Sequence, residues 1–347
     1  GGPGALFWLL IYIFFGAATK FAEATFAVET RITKPDGRVI GGPMQYLALL
    51  SPWLSKWYIL VMSFLLIEWS MVQANTLGAV SELHGLLPAW SVGLILSGII
   101  LIIMKGGVER VGDMASKLVP LMFTLYFVFS LYILLSDPLS MWHAILGIKH
   151  SIFTGSAAMG GFAGASIFMA MRIGFYRGIF ITEAGTGTSA IPHAVADVEH
   201  PVDQGILALY SMASDAFLST LSGLMILVTG VWTVGDFRST LIYEAFEARA
   251  PGIGSWVLLL TISLFVFTTV MGNTFNGTQS FGSLFKRSFV RVYLATAIVM
   301  IFLGTMLPVG LVWGIMDVLL ALVAIPNLIG VAILSFKYPK VLELPQK

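Results

Sequence analysis

Residues 152–172 read IFTGSAAMGGFAGASIFMAMR, apolar and long enough to cross a membrane, yet with Gly155, Gly160, Gly161 and Gly164 in the interior. Each glycine inside a helix costs about 1 kcal/mol relative to alanine, so this cluster marks a place where the helix need not hold. Backbone freed at that depth must be buried in protein or face a wet cavity. In secondary transporters such half-helices aim their ends at the substrate and its coupling ion. The same glycines suit close helix packing through small residues, and this span alone does not choose between the two.

The composition around it is that of a membrane. Of 347 residues, 57% are hydrophobic and 11% charged, with a mean hydropathy of +0.91. A soluble domain carries about 25% charged residues, so the chain reads as an all-α, polytopic membrane protein embedded in lipid. A net charge of +1 gives no reason to expect a nucleic-acid partner. With no cysteine there is no thiolate metal site, disulfide or thiol nucleophile. No signal peptide is read, and the chain opens on Gly1, which is expected to lie inside a longer reading frame.

Nine candidate spans follow at about 4–28, 57–80, 91–104, 118–136, 152–171, 204–232, 254–281, 287–306 and 311–335. Turn chemistry separates them, such as KPDGRVIGGP at 34–43 and SDP at 136–138. Basic residues alternate by side. One side holds Arg31, Lys34 and Arg38, then Lys105, Arg110 and Lys117, Arg172 and Arg177, Lys286, Arg287 and Arg291, and Lys337, Lys340 and Lys347. The other holds only Lys149, Arg238 and Arg249. Positive charge stays inside, which predicts a multi-pass protein of the cell (inner) membrane with a cytoplasmic C-terminus. The glycine-rich span is then the fifth of nine, the place of a broken helix opening the second half of a five-plus-five inverted repeat. On that reading 1–347 is one transmembrane domain, 1–136 the remainder of the first repeat and 152–335 the second, with the first core helix lying upstream of Gly1.

Polar residues inside spans are the candidate site. LLIEWSMVQANTLG in the second span places Glu68, Ser70, Gln73, Asn75 and Thr76 close together. An intramembrane carboxyl is costly unless paired or protonated and is a functional candidate for that reason. Gln73 offers both donor and acceptor to a zwitterion, or a plain inter-helix hydrogen bond. In the seventh span Thr269, Asn273, Asn276 and Ser280 fall at helical spacing on one face, with Thr268 beside them. Their hydroxyl and carbonyl oxygens suit a hard cation such as sodium. Asp215 and Asp317 read either as proton sites or as acids paired within the bundle, and pairing is favoured because neither sits near the glycine cluster in sequence. After the glycine-rich span, RGIFITEAGTGTSAIPHA (177–194) carries Glu183 in a Gly/Thr/Ser run that reads as a gate or re-entrant cap. No nucleotide fingerprint, H-E-x-x-H or G-x-S-x-G is present, so no enzyme is expected.

Strings along almost the whole chain resemble the alanine or glycine:cation symporter family, within the amino acid–polyamine–organocation superfamily. They are GGPGALFW (1–8), KFAEATFAV (20–28), GGPM (41–44), VQAN (72–75), GGFAGA (160–165), RGIF..EAG.G..AIPHA (177–194), PGIG (251–254) and AIPNLI (324–329). The resemblance implies the inverted-repeat fold and sodium- or proton-coupled uptake of small neutral amino acids, alanine or glycine. Carried over by position, Gln73 matches a substrate-binding glutamine, and Gly161, Phe162, Ala163 and Gly164 the unwound substrate-facing turn. Thr268 and Thr269 match hydroxyl ligands of sodium. Asn273 stands where the family usually has tryptophan, Glu68 and Ser70 replace small, apolar or amide residues, and EAGTGTSA departs from EAGLGSAP. The family also has two helices before GGPGALFW. The expectation is therefore a sodium-coupled symporter working by alternating access; the alternative is a proton-coupled or facilitative carrier in which Glu68 titrates. The oligomeric state is not read from the sequence.

Overall fold

The computed structural model describes residues 2–35, 37, 39–154, 167–233 and 241–344. Helix α1 (Gly2–Glu29) leads into a two-residue ladder of β1 (Ile32–Thr33) and β2 (Val39–Ile40), antiparallel with Ile32 opposite Ile40. There follow α2 (Pro43–Tyr46), α3 (Pro52–Leu83), α4 (Ala89–Met104), α5 (Gly107–Leu135), α6 (Pro138–Thr154) and α7 (Ile167–Thr182). The chain continues as α8 (Ala190–Ala194), α9 (Pro201–Thr229), α10 (Leu241–Arg249), α11 (Ile253–Leu284), α12 (Arg287–Gly304) and α13 (Val309–Lys337). Among the described residues seven helices are long and apolar enough to cross a membrane: α1, α3, α5, α9, α11, α12 and α13. The shorter α4 is also apolar. The protein is therefore an all-α polytopic membrane protein.

Eight of the nine expected spans coincide with these helices, and the fifth falls largely in 155–166, outside the described residues. Three details differ. SDP at 136–138, expected as a turn, starts α6: Asp137 Oδ1 accepts from the Ser140 N–H at 2.9 Å, and Pro138 takes the first helical position. Residues 138–151, expected as a connection, are thus helical. Helix α7 runs on to Thr182, so Arg172 and Arg177, expected beyond a helix end, lie within it. The connection before the seventh expected span contains α10.

The contacts divide the chain into two compact units, each drawing on separate segments. The first holds residues 1–16, 118–182 and 212–265. Its core joins Tyr126 and Ile133 of α5, Leu221 and Met225 of α9, Phe246 of α10 and Leu258 of α11. The Phe246 ring stacks on Phe129 at 5.0 Å and on Tyr126 at 5.9 Å. Close approach by α1 explains two glycines: a Cβ on Gly174 would lie 2.6 Å from the Ala5 carbonyl, and one on Gly178 2.4 Å from the Tyr12 ring. Asp137 also binds Arg249 at 2.8 Å, tying α6 to the end of α10. Hydrogen bonds from Ser140 and the Arg249 guanidinium hold the Asp137 carboxyl down at about 2.

The second unit holds residues 17–117, 183–211 and 266–347. Here α3 packs on α4, α12 and α13. Small residues let the backbones meet: a Cβ on Gly304 would lie 2.8 Å from Met71 Cα, and one on Gly93 2.6 Å from Thr305 Oγ1. Asn75 closes the end of α12, donating to the Gly304 carbonyl at 2.8 Å and the Leu307 carbonyl at 2.9 Å. The Tyr293 hydroxyl donates to the Ser63 carbonyl at 2.9 Å, and its ring stacks on Phe281 of α11 at 4.9 Å.

Candidate functional site

Most polar residues that share α3 with the candidates are already committed. Ser70 donates to the Leu66 carbonyl, Thr76 to Val72, and Asn75 caps α12. Two candidates are not so committed. Gln73 is half-buried, and Glu68 is 5% exposed with an Oε1 that has no hydrogen-bond partner among the described residues. A buried polar atom without a partner is costly, which sets Glu68 apart from the committed polar residues of α3.

Helix α11 repeats this pattern. Asn273 is 7% exposed and Ser280 fully buried, one heptad apart, and Asn273 Nδ2 and Ser280 Oγ have no partner among the described residues. Thr274 lies beside them but donates to the Val270 carbonyl. Thr268 and Thr269 are half-buried one turn earlier. No hydrogen bond joins Gln73 to Thr268, Thr269 or Asn273 among the described residues. Gly161, Phe162, Ala163 and Gly164 lie outside those residues.

The segment after α7 has a clear architecture. Glu183, Gly185 and Gly187 all take left-handed backbone, with φ of 56°, 90° and 75°, folding residues 183–189 into a tight turn. Glycine is required at 187, where a Cβ would come within 2.4 Å of Pro43 and 2.9 Å of the Tyr46 and Tyr58 hydroxyls. The Glu183 carboxylate accepts from the Thr188 hydroxyl at 2.5 Å, and Thr186 bonds Thr188 at 2.8 Å. Glu183 is thus a hydrogen-bonded member of the turn formed by the segment expected as a gate or re-entrant cap.

Sequence reasoning missed what holds this turn. Asn327 of α13, fully buried, accepts from the Tyr46 hydroxyl at 2.7 Å and donates to the Gly185 carbonyl at 2.9 Å and to Glu23 Oε1 at 2.5 Å. Gly185 N–H donates to the same Glu23 oxygen at 3.0 Å, closing a ring of three hydrogen bonds across α1, the turn and α13. Tyr58 of α3 donates to the Thr186 carbonyl. Lys20 of α1, 3% exposed, donates to Ser189 Oγ at 2.6 Å. Downstream, Arg31 donates to the carbonyls of Ala194, Ala196 and Val198. His193 of α8 pairs with Gln204, and burial followed by the Lys20 charge pushes its imidazole down to about 4, so it stays neutral. Lys20 and Glu23, three apart inside a span, were the readable signal.

A chain with several membrane-length helices that, among the described residues, keeps buried polar groups without partners at mid-helix is consistent with a membrane carrier. Comparison with known proteins gives the family: the sodium:alanine symporter family matches residues 1–344, and the chain belongs to it. This is a transporter family and not a family of enzymes. Among its relatives is the sodium/alanine symporter AgcS of Methanococcus maripaludis, 30% identical across 96% of this chain and 76% of its own. The uncharacterized transporter YflA of Bacillus subtilis is 32% identical, covering 97% and 73%. The probable sodium/glutamine symporter GlnT of Bacillus subtilis is 29% identical, covering 96% and 70%.

Proposed function

We propose that the protein takes up a small neutral amino acid, alanine or glycine, together with sodium by alternating access across the cell membrane, its C-terminus in the cytoplasm. The observation that carries this reading is α11. On this helix, whose Thr261, Ser263 and Thr274 hydroxyls bond their own backbone, Asn273 and Ser280 keep buried polar atoms without partners among the described residues, beyond Thr268 and Thr269. Asn273, Gln73 and residues 161–164 would shape the amino-acid site, and the hydroxyls of Thr268 and Thr269 would hold sodium. The names of AgcS and GlnT support a sodium-coupled amino-acid carrier while differing in substrate. Asn273 and residues 161–164 are then the positions that select side-chain size.

The test is uptake of labelled alanine and glycine by the full-length protein in proteoliposomes under an imposed sodium gradient. Uptake should follow the gradient, and Thr268→Ala with Thr269→Ala should raise the sodium requirement about tenfold or more, the loss of roughly 1.4 kcal/mol of ion binding. The buried, unpartnered Glu68 Oε1 favours a second reading, a proton-coupled carrier. Uptake indifferent to sodium, driven by a pH gradient and lost in Glu68→Gln, would replace the first reading with that one.

A further inference from the structure

Glu23 has no part in the site proposed above, yet it is the most enclosed carboxyl described, at 0% exposure. Its two oxygens differ. Oε1 accepts from Gly185 N–H and Asn327 Nδ2, whereas Oε2 is buried with no partner among the described residues. A carboxylate enclosed in this way is destabilised by the bare oxygen and the lost solvent. It is stabilised by the two donors on Oε1 and by Lys20 one turn away, which lies within electrostatic reach, and it is opposed by Glu183 of the turn. Tyr46 and Tyr58, the other titratable groups facing it, come from α2 and α3, and each donates a hydrogen bond elsewhere.

The surroundings also select the ligand. A metal cation needs oxygen acceptors, but Glu23 is met by N–H donors and an ammonium group. A proton on Oε2 removes the buried charge and leaves both Oε1 hydrogen bonds in place. The cover over the carboxyl is a turn with three left-handed residues, and one of those, Gly185, is itself a donor to Glu23.

We propose that Glu23 is a proton-binding site of the transport cycle. Oε2 carries a proton while the 183–189 turn is docked on it, and releases that proton to water as the turn lifts. One O–H bond breaks, the electron pair stays on the carboxylate, and the charge is then met by solvent and Lys20. Only the place in a transport cycle rests on the symporter reading; the linkage of proton to turn does not.

The chain lacks cysteine, so a single reporter can be placed. Ala184, fully buried in the turn, is replaced by cysteine, and its maleimide labelling in membranes is followed against pH. Glu109→Cys, at an exposed position, serves as the control for the thiol's own titration. Labelling of Ala184→Cys should rise with pH more steeply than labelling of Glu109→Cys, by up to about tenfold per pH unit for one linked proton. Glu23→Gln should abolish the extra rise and keep labelling slow. Identical profiles with Glu23 and Glu23→Gln, or a rise no steeper than that of Glu109→Cys, would overturn the proposal. Should Glu23→Gln fail to fold, Glu23→Asp decides: a displaced midpoint supports the proposal and an unmoved one refutes it. Absence of alanine and glycine uptake would remove the symporter reading and leave the labelling result standing.

Discussion

Replacing Asn327 by alanine deletes three hydrogen bonds with one side chain: from the Tyr46 hydroxyl, to the Gly185 carbonyl and to Glu23 Oε1. Hydrogen bonds between membrane helices measure about 0.6 kcal/mol each on average, which sets a floor near 2 kcal/mol. The ceiling comes from what is stranded. Tyr46 and Asn327 are fully buried, and a buried polar group left without a partner costs about 1–3 kcal/mol, or about 6 kcal/mol if two or three such groups bear the full penalty. Tyr46→Phe removes only one of the three bonds and should cost about 1 kcal/mol. The two sites share that bond, so the double mutant should be less damaged than the sum. Unfolding in mixed micelles titrated with dodecyl sulfate measures all three variants. A cost for Asn327→Ala no larger than that of Tyr46→Phe would show that the ring of bonds does not hold the turn, and strict additivity would show that the Tyr46–Asn327 bond carries no coupling.

Two further outcomes are expected. Gly187→Ala and Gly230→Ala impose the same left-handed strain, at φ of 75° and 74°, about 1–2 kcal/mol. Only at 187 does the new methyl meet Pro43, Tyr46 and Tyr58, whereas nothing among the described residues lies within 4 Å at 230. Gly187→Ala should therefore be the more destabilising in the same unfolding assay, and equal losses would contradict the packing described. His193 titrates at about 4 in the folded chain against 6.5 ordinarily. The unfolded chain thus binds the extra proton across that window, and stability should fall as pH drops from about 6.5 to about 4. His193→Gln should flatten that part of the profile, which thermal unfolding against pH will show.

Most membrane helices were legible because lipid demands long apolar runs, and α3, α12 and α13 stand out by that rule alone. Helix α6 was hidden by a local ambiguity: Ser-Asp-Pro serves equally as a turn and as an N-cap with proline at the first helical position, and the carboxyl of Asp137 settles it for the helix. The buried acid Glu68 and the polar stripe on α11 could be read because each lies within one helix. The ring around Glu23 could not, since residues 23, 46, 185 and 327 meet only after folding. The strings that contain them, KFAE, GGPM, EAG and AIPNLI, were visible one at a time without the contacts that join them.

Gly277 and Tyr293 constrain how α11 can move. A Cβ at 277 would sit 2.1 Å from the Tyr293 hydroxyl, which is itself fixed to the Ser63 carbonyl while its ring covers Phe281. The tyrosine acts as a key in a slot: α11 cannot spin about its long axis without forcing the ring out of place, but it can rock about that point. Asn273 and Ser280, one turn to either side of Gly277, would then swing in opposite directions about this fulcrum, so a small tilt would press one polar side chain against its neighbours as it drew the other away.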